Sequence, residues 1–128
     1  MKLAYPAIFH AEDNSYWVEF PDLIGCNTFG ETLNETLFNA KEALEVHAVA
    51  LLENGEKLNN PTKISDIKTD DNSFVTLIYG DISNYLNSGK AVKKTLTIPE
   101  WVNNIGMEQH INFSKTLTDA IIQQYRQR

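Results

Sequence analysis

The sequence lacks the features that are typical of secreted and membrane-spanning proteins. Its 128 residues include a single cysteine, so no disulfide can form within the chain. No apolar run approaches the roughly 20 residues that span a bilayer. Pro6, His10 and Glu12 interrupt the start, where a secretory signal would need an apolar stretch. We therefore expect a cytoplasmic protein that does not enter a membrane.

Groupings typical of metal or nucleophilic sites are also missing from the sequence. His10, His47 and His110 are scattered without metal-ligand spacing, so we predict neither a metal nor a cofactor. Cys26 stands close to two glycines with no paired histidine, which favours a small buried thiol over a nucleophile. His10 lies at a strand end and is the histidine best placed for a functional role.

Charge is divided unevenly along the chain. Residues 1–90 carry 6 Lys/Arg against 14 Asp/Glu, a net charge of −8, whereas residues 91–128 carry 5 against 3, a net charge of +2. An acidic segment repels nucleic acid and attracts a basic partner, while a basic segment suits a phosphate backbone. Simple solubility explains an acidic segment of this size, but the change of sign favours two different partners.

The first 80 residues have the pattern of an α+β domain in the order β-β-β-α-β, with the helix on one face of the sheet. Asn14-Ser15 indicates the turn of a first hairpin. Pro6 indicates an edge strand or an edge-facing position. The predicted strands are Lys2 to His10, Tyr16 to Phe20, Cys26 to Phe29 and Phe74 to Tyr79.

A capping-box sequence, Thr32-Leu-Asn-Glu35, predicts that the helix begins at Thr32. Asn54-Gly55 predicts its end. The stripe predicted to be buried follows helical spacing and consists of Leu37, Ala40, Leu44, Ala48 and Leu51.

After a predicted linker at residues 81–90, with a boundary near Gly89, residues 91–128 change character. Val92 to Ile98 alternates as a strand does, and Pro99 suits the start of a helix. This lone strand has no partner in its own segment, so we expect it to pair across a two-fold dimer. The remaining predictions are Val102 and Ile105 inward on a short helix, a turn at His110, an N-cap at Ser114, and a last helix lined by Leu117, Ala120, Ile121 and Tyr125.

Five sequence pieces together carry a resemblance to a known family. They are Tyr5-Pro-Ala-Ile-Phe9, Tyr16-Trp-Val-Glu-Phe-Pro-Asp22, Gly25-Cys-Asn-Thr-Phe-Gly30, Asn39-Ala-Lys-Glu-Ala-Leu44 and the tail Lys94-Thr-Leu-Thr-Ile-Pro99 with Ile111-Asn-Phe-Ser114. Together they resemble HicB antitoxins that carry a C-terminal ribbon-helix-helix domain. The resemblance implies a partial ribonuclease-H-like body at residues 1–80, which blocks a HicA-like, mRNA-cleaving toxin. It also implies a dimeric DNA-binding domain at residues 91–128, which represses the shared operon.

Two sets of contact residues follow from these expectations. The toxin candidates are Trp17, Glu19, Asp22 and Glu31, although for Trp17 and Asp22 a role in the core or a turn is favoured over partner contact. In a ribbon-helix-helix dimer, paired strands enter the major groove with outward side chains toward the bases. The DNA candidates are Lys93, Thr95 and Thr97 for bases, with Ser114 and Lys115 for phosphate at a helix start. Alternatively, the strand only dimerises.

Two other functions remain open at this stage: a nuclease on the same fold, and a stand-alone transcriptional regulator. Two-metal phosphoryl chemistry needs carboxylates that converge from neighbouring strands. The predicted first and last strands of the body contain none, and Glu42 and Glu45 are expected to face solvent on the helix. Catalysis is therefore disfavoured.

Overall fold

The computed structural model describes residues 1–83, 85 and 91–126. It divides into two compact units. The first is Lys2–Ile82, which we call the body. The second is Ser83–Arg128, which we call the tail, together with Met1. Most of the predicted linker, including Gly89, lies outside the described residues, so its bounds stay a prediction. Among the described residues, no helix is both long enough and apolar enough to cross a membrane.

The body has the predicted α+β order. Its elements are β1 (Lys2–Glu12), β2 (Ser15–Glu19), β3 (Asn27–Gly30), α1 (Leu33–Glu53), a short 3₁₀ turn (Ile64–Asp66) and β4 (Ser73–Asp81). The strands form one antiparallel sheet in the order β3-β2-β1-β4. The strand order therefore places the first and last body strands side by side, over nine residue pairs.

The first hairpin turns one residue earlier than predicted. Glu12 pairs with Ser15, so the two-residue loop is Asp13-Asn14 rather than Asn14-Ser15. Both loop residues have positive φ, 48° and 66°. That geometry matches a type I′ turn, whose twist fits the flanking strands and which favours Asn and Asp.

Pro6 does not mark an edge strand, since β1 lies between β2 and β4. The pairing of β2 to β1 ends at Ile8 with Glu19, so the first half of β1 has only β4 beside it. A residue without an N–H is tolerated there because one side of β1 needs no ladder hydrogen bond.

Alternation along β1 sets the core of the body. Leu3, Tyr5, Ala7 and Phe9 are buried on the face toward α1, and the Phe9 ring stacks on Phe74 of β4 at 5.1 Å between centroids. These side chains leave water together, which is the main stabilising term for such a sheet.

Helix α1 begins where the capping box predicts. Thr32 is its N-cap, and the Thr32 hydroxyl accepts a hydrogen bond from the Glu35 amide at 3.1 Å. The Glu35 carboxylate reaches back to the Glu31 amide at 3.3 Å. The helix ends at Asn54, followed by Gly55 with φ +74°, as predicted.

The predicted buried stripe on α1 is right at its centre and wrong at its ends. Ala40, Leu44 and Ala48 are buried, but Leu37 is 38% exposed and Leu51 is half-buried. Thr36 takes the buried place instead of Leu37, because Gly30 of β3 leaves room for the helix to approach. The Thr36 hydroxyl is satisfied by the Thr32 carbonyl at 2.6 Å.

Glu45 was expected to face solvent and is instead 5% exposed. Its carboxylate accepts hydrogen bonds from Lys41 Nζ at 3.0 and 3.1 Å and from the Asp81 amide at 2.7 Å. A buried carboxylate is tolerated only when it is paired and hydrogen-bonded. Glu45 therefore links α1 to the end of β4, a role that the sequence pattern did not reveal.

In the described part of the tail there are two helices, α2 (Glu100–Glu108) and α3 (Phe113–Arg126). Residues 91–99, predicted as a strand from Val92 to Ile98, are exposed and without regular secondary structure in this single chain. Asn112, not Ser114, caps α3, because the Asn112 side-chain oxygen accepts from the Lys115 amide at 3.0 Å. His110 forms the turn between the helices, with φ +55°.

Candidate partner and nucleic-acid interfaces

One face of the body sheet packs on α1, and the opposite face, which we call the outer face, carries several large exposed side chains. Within Lys2–Ile82, which is described throughout, α1 is the single α-helix. Strand pairing places Phe29 beside Trp17, and Trp17 beside His10, on the outer face. The large exposed residues of this face are Phe29 (74%), Leu77 (54%), Tyr79 (53%) and Trp17 (39%).

His10, Trp17 and Glu19 form a connected group on the outer face. The His10 ring stacks on the Trp17 indole at 3.8 Å and 10°. His10 Nε2 lies 2.8 Å from Glu19 Oε2, and the two side chains are 23% and 39% exposed. Trp17 therefore does not have the core or turn role that the sequence favours. It is a half-exposed ring that stacks on His10. The structure brings together Trp17 and Glu19 of the four toxin candidates.

Asp22 is placed elsewhere and has a structural role. Its two carboxylate oxygens accept from the Thr62 amide at 2.9 Å and the Thr62 hydroxyl at 2.6 Å. The Asp22 carbonyl also accepts from the Asn59 side chain at 2.9 Å. Asp22 therefore fastens the loop after α1 to the turn after β2, in line with the favoured turn role.

Glu31 lies beside the N-terminus of α1 and is exposed. It lines an open cleft of about 450 Å³ between the hairpin loop at Asp13-Asn14 and the helix start at Leu33. Trp17 and Glu19 do not line this cleft.

Cys26 is buried, at 2% exposed, as predicted. Burial raises the pKa of its thiol from 9.0 to about 11, so the thiolate is scarce at neutral pH and the sulfur is a poor nucleophile. The Cys26 thiol lies 3.5 Å from the Ala43 carbonyl of α1. Among the described residues, no three His, Cys, Asp or Glu side chains are grouped so as to hold a metal ion.

The tail carries an apolar groove of about 610 Å³. Gly106 forms its tightest point, since a Cβ there would collide with the Phe113 ring. Ile105 is 47% exposed and Val102 half-buried, so the predicted inward side of α2 is open in the single chain. The apolar residues lining the groove are Leu96, Ile98, Val102, Ile105, Ile111, Phe113, Leu117 and Ala120.

The DNA candidates divide according to this groove. Lys94, Leu96 and Ile98 line it, whereas Lys93, Thr95 and Thr97 are exposed and do not line it. This alternation is the one expected of a strand with one face in a core and the other toward a partner.

The two candidates on α3 are separated. Lys115 lies in the first helical turn and is exposed, and its amide is already bonded to the Asn112 cap. Ser114 is exposed but lines the groove. Of the two, Lys115 is better placed to meet a phosphate from outside the groove.

The chain is similar to one protein family and to three solved structures. Residues 5–121 match the family described as HicB_like antitoxin of bacterial toxin-antitoxin system. A chain of a toxin–antitoxin complex from Streptococcus pneumoniae is 35% identical, with a TM-score of 0.64 over 97% of this chain and 99% of that one. The antitoxin HicB of Burkholderia pseudomallei is 25% identical, with a TM-score of 0.62 over 94% and 96%. A chain of the HicA3 and HicB3 toxin-antitoxin complex is 26% identical, with a TM-score of 0.53, over 62% of this chain and 99% of that one.

Proposed function

Because this chain belongs to the HicB-like antitoxins of bacterial toxin–antitoxin systems, we propose that it neutralises a HicA-like, mRNA-cleaving toxin and represses its own operon. Residues 1–80 bind the toxin, and residues 91–128 dimerise and bind operator DNA. In this proposal the protein acts by binding, without catalysis and without a cofactor. Both proposed partners act in the cytoplasm.

The observation that carries the toxin half is the similarity over nearly the whole chain to a chain of the Streptococcus pneumoniae toxin–antitoxin complex. The charge of the body supports it. A toxin that cleaves mRNA must bind a polyanion, so its RNA-binding surface is basic. Residues 1–90, which contain the body, have a net charge of −8, so they attract such a surface and speed the encounter.

Dimerisation through the tail is supported by the apolar groove and by the exposed segment at residues 92–98, part of which lines it. Leu96 and Ile98 are 57% and 45% exposed in the single chain, and α2 and α3 alone leave the groove open. A second copy that adds its segment antiparallel to residues 92–98 would cover these side chains and leave Lys93, Thr95 and Thr97 outward.

The toxin half is tested by co-expression with the small basic protein that this proposal expects from the adjoining reading frame. Expression of that protein alone should arrest growth, and co-expression of this chain should restore it. The two proteins should also purify as one complex, with association slowing as salt rises. If growth arrest persists although both proteins are made and folded, the toxin half of the proposal is wrong.

The DNA half predicts different effects for two substitutions in the tail. Thr95→Ala should weaken operator binding by about 5- to 150-fold, the usual effect of one lost base contact, and leave binding to scrambled DNA unchanged. Lys115→Ala should weaken binding to both duplexes and reduce the salt slope by about 1, since a phosphate contact carries no sequence information. A salt series of fluorescence titrations on both duplexes measures this. Equal losses on the two duplexes for Thr95→Ala would show that the strand does not read sequence.

A further inference from the structure

We propose that the outer face of the body sheet is the docking surface for the toxin, centred on Trp17, Leu77 and Tyr79. The inference rests on the proposed function and goes further, because it adds β4 residues that sequence motifs did not indicate. It also separates Trp17 and Glu19, which lie on this face, from Asp22, which bonds to Thr62 in the loop after α1.

The sequence of the two longest strands indicates a sheet that is covered on both sides. An antiparallel sheet with one face in water normally alternates apolar and polar residues. From Phe74 to Gly80, β4 has no charged residue, and from Leu3 to Phe9 neither has β1. Strand pairing sets Pro6 beside Leu77 and Ala4 beside Tyr79 on the outer face, so its centre is apolar, and Pro6 itself is fully buried there while Leu77 and Tyr79 are exposed. Within the body, α1 packs only against the other face.

The size of this surface suits a protein partner. Strands β1 and β4 pair over nine residues, which corresponds to a length of about 30 Å. Phe29, Leu77 and Tyr79 are each more than half exposed. An exposed apolar patch rimmed by polar residues is typical of an interaction site, and aromatic residues such as Trp and Tyr commonly dominate the binding energy of interfaces.

Charge decides which partner fits the outer face. Glu12 and Glu19 alternate onto this face from β1 and β2, and the whole of residues 1–90 is acidic. A second copy would bring the same negative charge against itself, and DNA would be repelled. A toxin with a basic RNA-binding surface matches both the acidic rim and the apolar centre. Docking there would also cover the basic surface that the toxin uses on mRNA.

The stacked group gives this face a fixed contact point. Trp17 is held by the His10 ring, and His10 is held in turn by Glu19. A side chain that is already ordered loses less entropy when a partner arrives. Trp17 is therefore an anchor, and Leu77 and Tyr79 extend the contact along β4.

The test compares two double variants of the full-length protein that remove similar apolar side chains from different surfaces. Leu77→Ala/Tyr79→Ala acts on the outer face, where these residues are 54% and 53% exposed. Phe38→Ala/Val46→Ala acts on the exposed side of α1, at 69% and 52%. Binding of the small basic protein from the adjoining reading frame is measured by calorimetry. Circular dichroism and operator binding by the tail report folding.

We expect the outer-face variant to lose about 100-fold in affinity, as two anchor residues would, and the α1 variant to stay within about threefold of the wild type. In a Trp101→Phe background, Trp17 emission should also shift on binding, which tests the face even if the outer-face variant fails to fold. A folded outer-face variant that binds as the wild type does, or a Trp17 emission that is unchanged in the complex, overturns the inference while the antitoxin function stands. Absence of binding by the wild type overturns both.

Discussion

Replacing Gly30 with alanine is expected to destabilise the body by about 3 kcal/mol, the upper end of what overpacking a tight site costs. A Cβ at position 30 would lie 2.8 Å from both the backbone nitrogen and the Cα of Thr36. These atoms belong to the first turn of α1, which is fixed by the Thr32 cap and cannot move aside alone. Against a typical total stability of about 5–15 kcal/mol, the loss is large.

The measurement is urea unfolding of the full chain in a Trp101→Phe background, followed by Trp17 emission, so that only the body is observed. We expect the midpoint to fall by about 2 M. Gly25→Ala is the matched control. Gly25 has φ +87° and nothing within 4 Å of an added Cβ, so alanine there meets only backbone strain, about 1–2 kcal/mol. If Gly25→Ala proves more harmful than Gly30→Ala, the close approach of β3 to α1 is wrong.

This pair of glycines illustrates what local sequence could and could not predict. Turn and cap chemistry is local, so the start of α1 at Thr32 and its end at Asn54-Gly55 followed from a few neighbouring residues. The depth of Thr36 in the core depends on Gly30, which is near in the chain but on another element. A stripe chosen by hydrophobicity therefore selected Leu37, one position around the helix, in place of a threonine.

The candidate site likewise has some features that local sequence predicts and others that depend on distant residues. Alternation in β2 places Trp17 and Glu19 on one face and Val18 and Phe20 on the other, and the structure buries Val18 and Phe20. The sequence does not single out Leu77 and Tyr79, because an apolar strand does not indicate which of its faces the helix covers. Only the pairing of β4 with β1 shows that these side chains lie on the outer face. The burial of Glu45 could not be predicted for a similar reason, since one of its two partners, Lys41 and Asp81, is 36 positions away in the chain.

The strand predicted at residues 92–98 would need a second molecule to pair with. Residues 92–98 have the alternation of a strand, yet among the described residues of the single chain they pair with no strand and are exposed, without regular secondary structure. Backbone groups of such a segment are satisfied by water until another strand arrives. The alternation therefore predicts a strand and a dimer, and the single chain shows a groove that such a dimer would fill.

Replacing Leu96 with aspartate is expected to abolish dimerisation through the tail, and operator binding with it. Leu96 lines the apolar groove together with Ile98 and Phe113. In the proposed dimer each copy would bury this side chain, so the two-fold axis brings two unpaired carboxylates into one core. Burial costs several kcal/mol per ion, and we expect the dimer dissociation constant to rise by at least 1000-fold. Sedimentation equilibrium should show monomers at micromolar concentration.

Thr95→Asp is the control because it adds the same charge to the neighbouring residue, which does not line the groove. This variant should stay dimeric but lose affinity for every duplex, since its carboxylates would face phosphate. Both variants should bind the toxin as the wild type does, because the body is untouched. A dimeric Leu96→Asp protein that still binds its operator would contradict the assignment of residues 92–98 to the dimer core. A monomeric Thr95→Asp protein would show instead that the two faces of the strand are the reverse of those proposed.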